Sequence, residues 1–232
     1  FAVLLQEKRN PQSTIVEVKN PSVQTEGHRL RPEIVQAMVF ESVRRLSGEK
    51  ADKSAWRHYF SPDDVVGIKV NCLFGRGAST HPEVVMAIVE GLKLAGVKPE
   101  NIIIWDRSDA DLAKAGFTLN REGAGVKCYG TNGEYDPTPT RHGSFNGRLS
   151  KILSERITAL VNAPILKDHS IAGITNACKN HYGSIDNPGA HHGNNCDPYL
   201  ADLNAVPAIR QKTRLIVCDA IRPICEGGPG LR

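Results

Sequence analysis

The chain has 232 residues, 40% of them hydrophobic and 23% charged, with a formal net charge of +4. That length buries a substantial core, while scattered Lys and Arg and only 6% aromatic residues exclude a basic nucleic-acid arm or a base-stacking platform. No stretch reaches the roughly 18 consecutive apolar residues of a membrane-spanning helix, and six cysteines without a C-x-x-C pair exclude a disulfide scaffold and c-type haem attachment.

The first residues, "FAVLLQEKRNP", carry five apolar residues, expected as the remnant of a longer apolar segment. Beyond them, β-branched runs alternate with amphipathic segments. "STIVEVK" (13–19) reads as a strand, 32–46 as a helix, "VVGIKV" (65–70) as a strand and 82–95 as a helix. "NIIIWD" (101–106) is the next strand, 109–115 a helix, and "GVKCYG" (125–130) and "ITALVNA" (157–163) are strands. Helices over 171–181 and 199–210 and a strand at "TRLIVCD" (213–219) complete the series. The alternation predicts an α/β fold, with a mainly parallel sheet covered by helices on both faces. The Gly-, Pro- and Thr-rich stretch 131–150 is expected to be a long loop or the junction of two lobes of one domain.

Open parallel sheets bind ligands at the carboxyl ends of their strands. The residues just past the predicted strands are Asn71 and Cys72, Asp106 and Arg107, Gly130, Asn162 with Pro164 and Lys167, and Asp219 with Arg222. After the strand at 65–70 a glycine-containing loop leads into a helix, with Thr80 and Glu83 at capping-box spacing. Free N–H groups there suit a phosphate or carboxylate, with Lys69 or Arg76 alongside. The loop is neither a Walker sequence nor a complete G-x-G-x-x-G, so an ordinary strand-to-helix connection is the alternative.

"KDHSIAGITNACKNHYGS" (167–184) gathers Lys167, His169, Cys178, Lys179 and His181, and four of the eight histidines lie between 169 and 192. Ile171, Ile174 and Cys178 share one face of the predicted helix, so Cys178 reads as a small buried hydrophobe. Lys179 and His181 then fall in its last turn, where the helix dipole favours cations. With Lys167 and His169 they flank an anionic ligand or present imidazoles to a metal. "GAHHGNNCDP" adds His191, His192 and Cys196 in a frame with little core-forming capacity, and imidazole with thiolate suits zinc, copper or iron. The sequence lacks the G-x-S-x-G that a serine hydrolase of the α/β type requires.

Several separated motifs occur in an order that resembles the DUF362 family, whose function is unknown. They are "FSPDDVVGIKVNCL", "STHPEVVMAIVEGLKLAGVKPENIIIWDR", "LVNAPILKDHSIAGITNACKNHYGSI", "HHGNNCDPYLADLNAVPAIRQKTRLIVCDAIRP" and "EGGPG", and they span most of the chain. The resemblance implies a single α/β domain, often exported to the periplasm behind a twin-arginine signal that is then removed. Some relatives carry a ferredoxin module with cluster-binding cysteines, which this sequence lacks. Relatives also continue past the "EGGPG" motif, so the last part of the domain is expected beyond Arg232.

Together these readings nominate Lys69, Asn71, Cys72, Thr80, His81, Lys167, His169, Lys179, Asn180 and Glu226 as ligand-binding residues. His181, His191, His192 and Cys196 are the candidate ligands of a transition metal or iron–sulfur cluster. The leading expectation is a metal or anionic-ligand site at the carboxyl edge of the sheet, with a redox link. The alternatives are a non-catalytic subunit of an envelope assembly, bound to a protein partner or to its own copies, and a metal-free enzyme acting on a small carboxylate or phosphate.

Overall fold

The structure is a computed structural model that describes residues 13–230, so the apolar run at the start of the chain lies outside the described residues. In chain order the strands are β1 (Val66–Lys69), β2 (Ile102–Trp105), β3 (Lys127–Cys128), β4 (Thr140–His142), β5 (Phe145–Gly147), β6 (Ala159–Asn162), β7 (Ile165–His169), β8 (Gly173–Thr175), β9 (Thr213–Ile216) and β10 (Asp219–Ile224). The helices are α1 (Pro32–Ser47), α2 (Asp52–Arg57), α3 (Pro82–Ala95), α4 (Asp109–Ala115), α5 (Ala177–Asn180), α6 (Tyr199–Ala205) and α7 (Pro207–Arg210). Among the described residues no helix is long and apolar enough to cross a membrane.

Five strands pair in parallel in the order β3-β2-β1-β6-β9, with helices on both faces, which is the α/β architecture the alternation predicts. Short apolar strands with no polar face require cover on both sides, and the side chains divide accordingly. Ile102 and Ile104 of β2, with Ala159 and Val161 of β6, join a core with α1, α2 and α3. Ile103 and Trp105, with Leu160, join a second core with Ile152, Leu153, Leu203 of α6 and Ile209 of α7. Helices α1 and α3 each start at proline and end at a glycine with positive φ, Gly48 and Gly96.

From β1 the chain builds outward through β2 and β3, then returns to β1's other side for β6 and β9. The direction of winding reverses between β1 and β6, where Lys69 and Asn162 are register partners at the carboxyl edge. Such a reversal leaves a crevice beyond the strand ends, because the two flanking connections leave on opposite faces. A second sheet, β10-β7-β8, starts only three residues past β6. Its hairpin pairs Lys167 with Thr175 and His169 with Gly173.

Four sequence expectations are corrected. Residues 13–20 form no regular element, and Ile15 is 89% exposed. Their alternation fits a strand, but a strand without a partner gains nothing from propensity. Residues 171–181 are not one helix: β8 occupies their centre, opening on Gly173 at φ +74 as the chain leaves the hairpin turn, and only Ala177–Asn180 is α-helical. Ile171, Ile174 and Cys178 are therefore exposed, and the buried-hydrophobe reading of Cys178 fails with the helix. The stretch 131–150 holds the antiparallel hairpin β4-β5, anchored by the fully buried Phe145. The strand predicted at 213–219 ends at Ile216, and Asp219 opens β10, which pairs with β7 in the second sheet.

Candidate functional site

Beyond the carboxyl ends of β1, β2 and β6 lies a cavity of about 140 Å³. Lys69, Asn71, Asp106, Lys167, Lys179 and His192 are among its lining residues, with Phe74 and Tyr182 as its aromatic walls. Its floor is a network of amides and one ion pair. The Lys69 ammonium donates to Asp106 Oδ1 at 2.6 Å and to the Val70 carbonyl at 2.7 Å, with both side chains almost fully buried. Asp106 accepts in addition from the backbone N–H groups of Cys72 and Arg107. Asn180 donates to the Lys69 carbonyl at 3.0 Å and to Asn162 Oδ1 at 2.8 Å, and accepts from Asn71 at 3.3 Å. The network closes the floor with its polar groups paired, as a buried polar cluster requires.

Above this floor stand two further lysines. Lys167 Nζ donates to Asn71 Oδ1 and the Ala78 carbonyl, both at 3.0 Å, and lies 5.0 Å from the Phe74 ring centre. Lys179 Nζ lies 2.8 Å from His192 Nε2 and 3.6 Å from the Tyr182 ring centre. Both are buried, and among the described residues neither forms an ion pair with a carboxylate. Burial pushes each ammonium down to about 8, only partly opposed by Asp106 and Cys72 at Lys167 and by Cys196 at Lys179. Thr175, beside Lys167 in the β7-β8 hairpin, also lines the cavity, and among the described residues its buried hydroxyl has no hydrogen-bond partner.

The imidazoles here are neutral. His192 Nδ1 is 2.8 Å from the Pro188 carbonyl and therefore carries the proton, which leaves Nε2 to accept from Lys179. Burial, then the charge of Lys179, holds His192 below its ordinary range. His169 stacks on His192 at 5.8 Å and accepts through Nδ1 from the N–H groups of Ile171 and Ala172. Burial, then Lys179, brings it down to about 4.

The lysine values set a stability trend. Between about 8 in the fold and the ordinary 10.5, the unfolded chain binds more protons at Lys167 and Lys179, so their contribution to stability rises with pH across that window. The ligand-free Lys167→Met variant is expected to compare best with the parent below pH 8 and to lose that standing by about pH 10. Denaturant midpoints of the two proteins across that range check this, and a constant difference would contradict it.

Of the sequence-predicted residues, Lys69, Asn71, Lys167, His169, Lys179 and Asn180 meet at the cavity, joined by His192 from the metal set. The others do not line it. Cys72 is fully buried in the core, and burial raises its thiol well above the usual range. Thr80 is not a helix cap, since His81 holds that position. Its hydroxyl instead donates to the Ala163 carbonyl and accepts from Asn71 N–H, tying α3 to the strand ends. The expected anion at the α3 start is the protein's own Asp219, which takes the His81 backbone N–H at 2.8 Å and ring Nδ1 at 2.7 Å. Glu226 is exposed and away from the cavity lining.

The four predicted metal ligands are each engaged separately. His181 is fully buried, bonded to Asn162 and Ser184, and its pKa falls to about 3 through burial and the charge of Lys69. His191 bonds the Asn187 carbonyl and packs against Phe145 and Tyr199. Cys196 belongs to the second core. Among the described residues no three His, Cys, Asp or Glu side chains gather as a metal site. Adjacency along the sequence did not become convergence in space.

Residues 66–231 match the family model described as Domain of unknown function (DUF362). The chain belongs to the DUF362 family. No curated protein matches it. The DUF362 match opens on the first residue of β1 and contains every side chain named above as lining the cavity, while α1 and α2, which complete the first core, precede it.

Sequence reasoning left Asp106, Thr175, Phe74 and Tyr182 out of the site. Asp106 and Arg107 were visible as strand-end residues, but nothing in sequence pairs Asp106 with Lys69, 37 positions away. Thr175 follows from the hairpin, which the helix reading concealed.

Proposed function

We propose that the protein binds a small anion, a carboxylate or phosphate compound, in the cavity where the sheet winding reverses. The supporting observation is the presence of two buried ammonium groups, Lys167 and Lys179, in one cavity without a carboxylate partner. A buried charge is costly unless paired, and the Lys69–Asp106 pair shows the arrangement this fold uses where its own carboxylate is present. An anionic ligand supplies the missing charge for the other two. The unpartnered Thr175 hydroxyl offers such an oxyanion a further donor. The donor set of ammonium, hydroxyl and neutral imidazole suits oxygen anions. This reading develops the metal-free alternative drawn from the sequence.

Inorganic phosphate and a panel of small mono- and dicarboxylates, titrated by calorimetry and thermal shift, test the proposal. At least one is expected to raise the melting temperature in a saturable way. Losing one charge-assisted hydrogen bond costs about 1.5–3 kcal/mol, so Lys167→Met or Lys179→Met is expected to weaken that ligand roughly tenfold to a hundredfold. Chelator is expected to leave binding unchanged. Affinity falls as pH rises through about 8, where the ammonium groups lose their protons. Equal binding by parent and both variants, or no binding across the panel, overturns the proposal.

A further inference from the structure

Resting on that anion-binding reading, the geometry points to a substrate class: carbonyl compounds that bear an acidic group, such as 2-oxo acids, held by Lys167 and Thr175 while Lys179 forms an imine with the carbonyl carbon. Lys179 and Lys167 line one cavity but are held differently. Lys167 spends two N–H bonds on the oxygens of Asn71 and Ala78, which aim its ammonium as a fixed cation. Beside it, the unpartnered Thr175 hydroxyl completes a seat for a carboxylate.

The partner of Lys179 is instead a nitrogen lone pair. His192 Nε2, 2.8 Å away, is obliged to accept, because Nδ1 is committed to the Pro188 carbonyl at 2.8 Å. The amide and peptide oxygens that hold Lys167 cannot take its proton, whereas the imidazole Nε2 beside Lys179 can. A nucleophile beside a base that a third group orients is the arrangement nucleophilic catalysis uses. The depressed basicity of Lys179 agrees, since it leaves a usable free-amine fraction near neutral pH.

The reaction balances without oxidant or reductant. The neutral Lys179 amine attacks the carbonyl carbon, a C–N bond forms, the C=O π bond breaks, and the oxygen takes the first of the two amine protons, relayed by His192 Nε2, to give a carbinolamine. Loss of that oxygen as water breaks the C–O bond and forms C=N. The second proton leaving nitrogen passes by the same route to the departing hydroxyl. One primary amine and one carbonyl thus give one imine and one water.

Trapping with pyruvate and borohydride tests the inference on the full chain. The expected result is one reduced adduct per chain, mapped by peptide mass to Lys179, lost in Lys179→Arg, and reduced at least tenfold in Lys167→Met. Thermal shift with pyruvate, without reductant, is measured in parallel. A saturable shift that requires Lys167, with no adduct or with adducts on Lys167 or surface lysines, overturns imine formation at Lys179 and leaves the anion reading standing. No shift and no adduct, with the phosphate and carboxylate panel also inert, overturns both.

Discussion

Replacing Lys69 with methionine is expected to destabilise the fold by about 3–5 kcal/mol, the usual cost of breaking a buried ion pair from one side. The reason is what stays behind. Asp106 is 7% exposed at its side chain, and without the ammonium it would keep only the N–H groups of Cys72 and Arg107 against a full negative charge. Asp106→Asn strands the opposite charge and is expected to cost a similar amount. The pair Lys69→Met with Asp106→Asn removes both charges, so its cost falls well below the sum of the single changes. Guanidinium unfolding of the four proteins measures this. Single changes that each cost less than about 1 kcal/mol, the range of exposed pairs, would mean the ion pair is solvated.

The second large effect is expected where α2 crosses α3. Trp56 is fully buried, with Phe40 edge-on at 5.7 Å and Phe60 at 6.3 Å. Its indole lies against Gly91, where even a methyl group would collide with the ring. Trp56→Ala is expected to cost about 3–5 kcal/mol through lost burial and the cavity left behind, and Gly91→Ala about 1–3 kcal/mol by overpacking from the other side. Trp56→Phe is the informative control. The Trp56 indole N–H is buried without a partner among the described residues, so phenylalanine removes an unsatisfied donor together with some volume. Combined with Gly91→Ala, it is expected to recover part of the overpacking cost, a non-additivity that thermal denaturation detects. Strict additivity would place the collision elsewhere.

The sequence was most legible where one local rule acted alone. Helices α3 and α4 have the bounds read from their amphipathic pattern, because proline starts the first, Ser108 caps the second, and glycine ends both. The central strands were legible because Val66–Lys69 and Ile102–Trp105 are buried on both faces and contain nothing else a chain could do. Residues 171–181 failed because helical spacing of Ile171, Ile174 and Cys178 coincided with a hairpin, and the turn at Gly173 outweighed it. The strand-end rule by itself brings Asn71 and Lys167 to one edge. It could not pair them, since the bonds of Asn71 with Lys167 and with Asn180 cross 96 and 109 positions. His191 and His192 are neighbours in sequence, yet one packs beside Phe145 while the other turns toward Lys179.

The contacts of Asn180 carry a consequence for how the molecule comes into being. This one amide touches Lys69 and Asn71, 111 and 109 positions earlier, and Asn162, 18 positions earlier. Its bonds exist only after both arms of the sheet have been made and joined. Closing so long a stretch of chain must precede any reward from the contact, which places the pocket among the last parts to assemble. A nascent chain released before residue 180 lacks the site altogether, however well β1 to β3 have formed. The proposed anion binding, followed in refolding experiments, would thus serve as a clock for the final step.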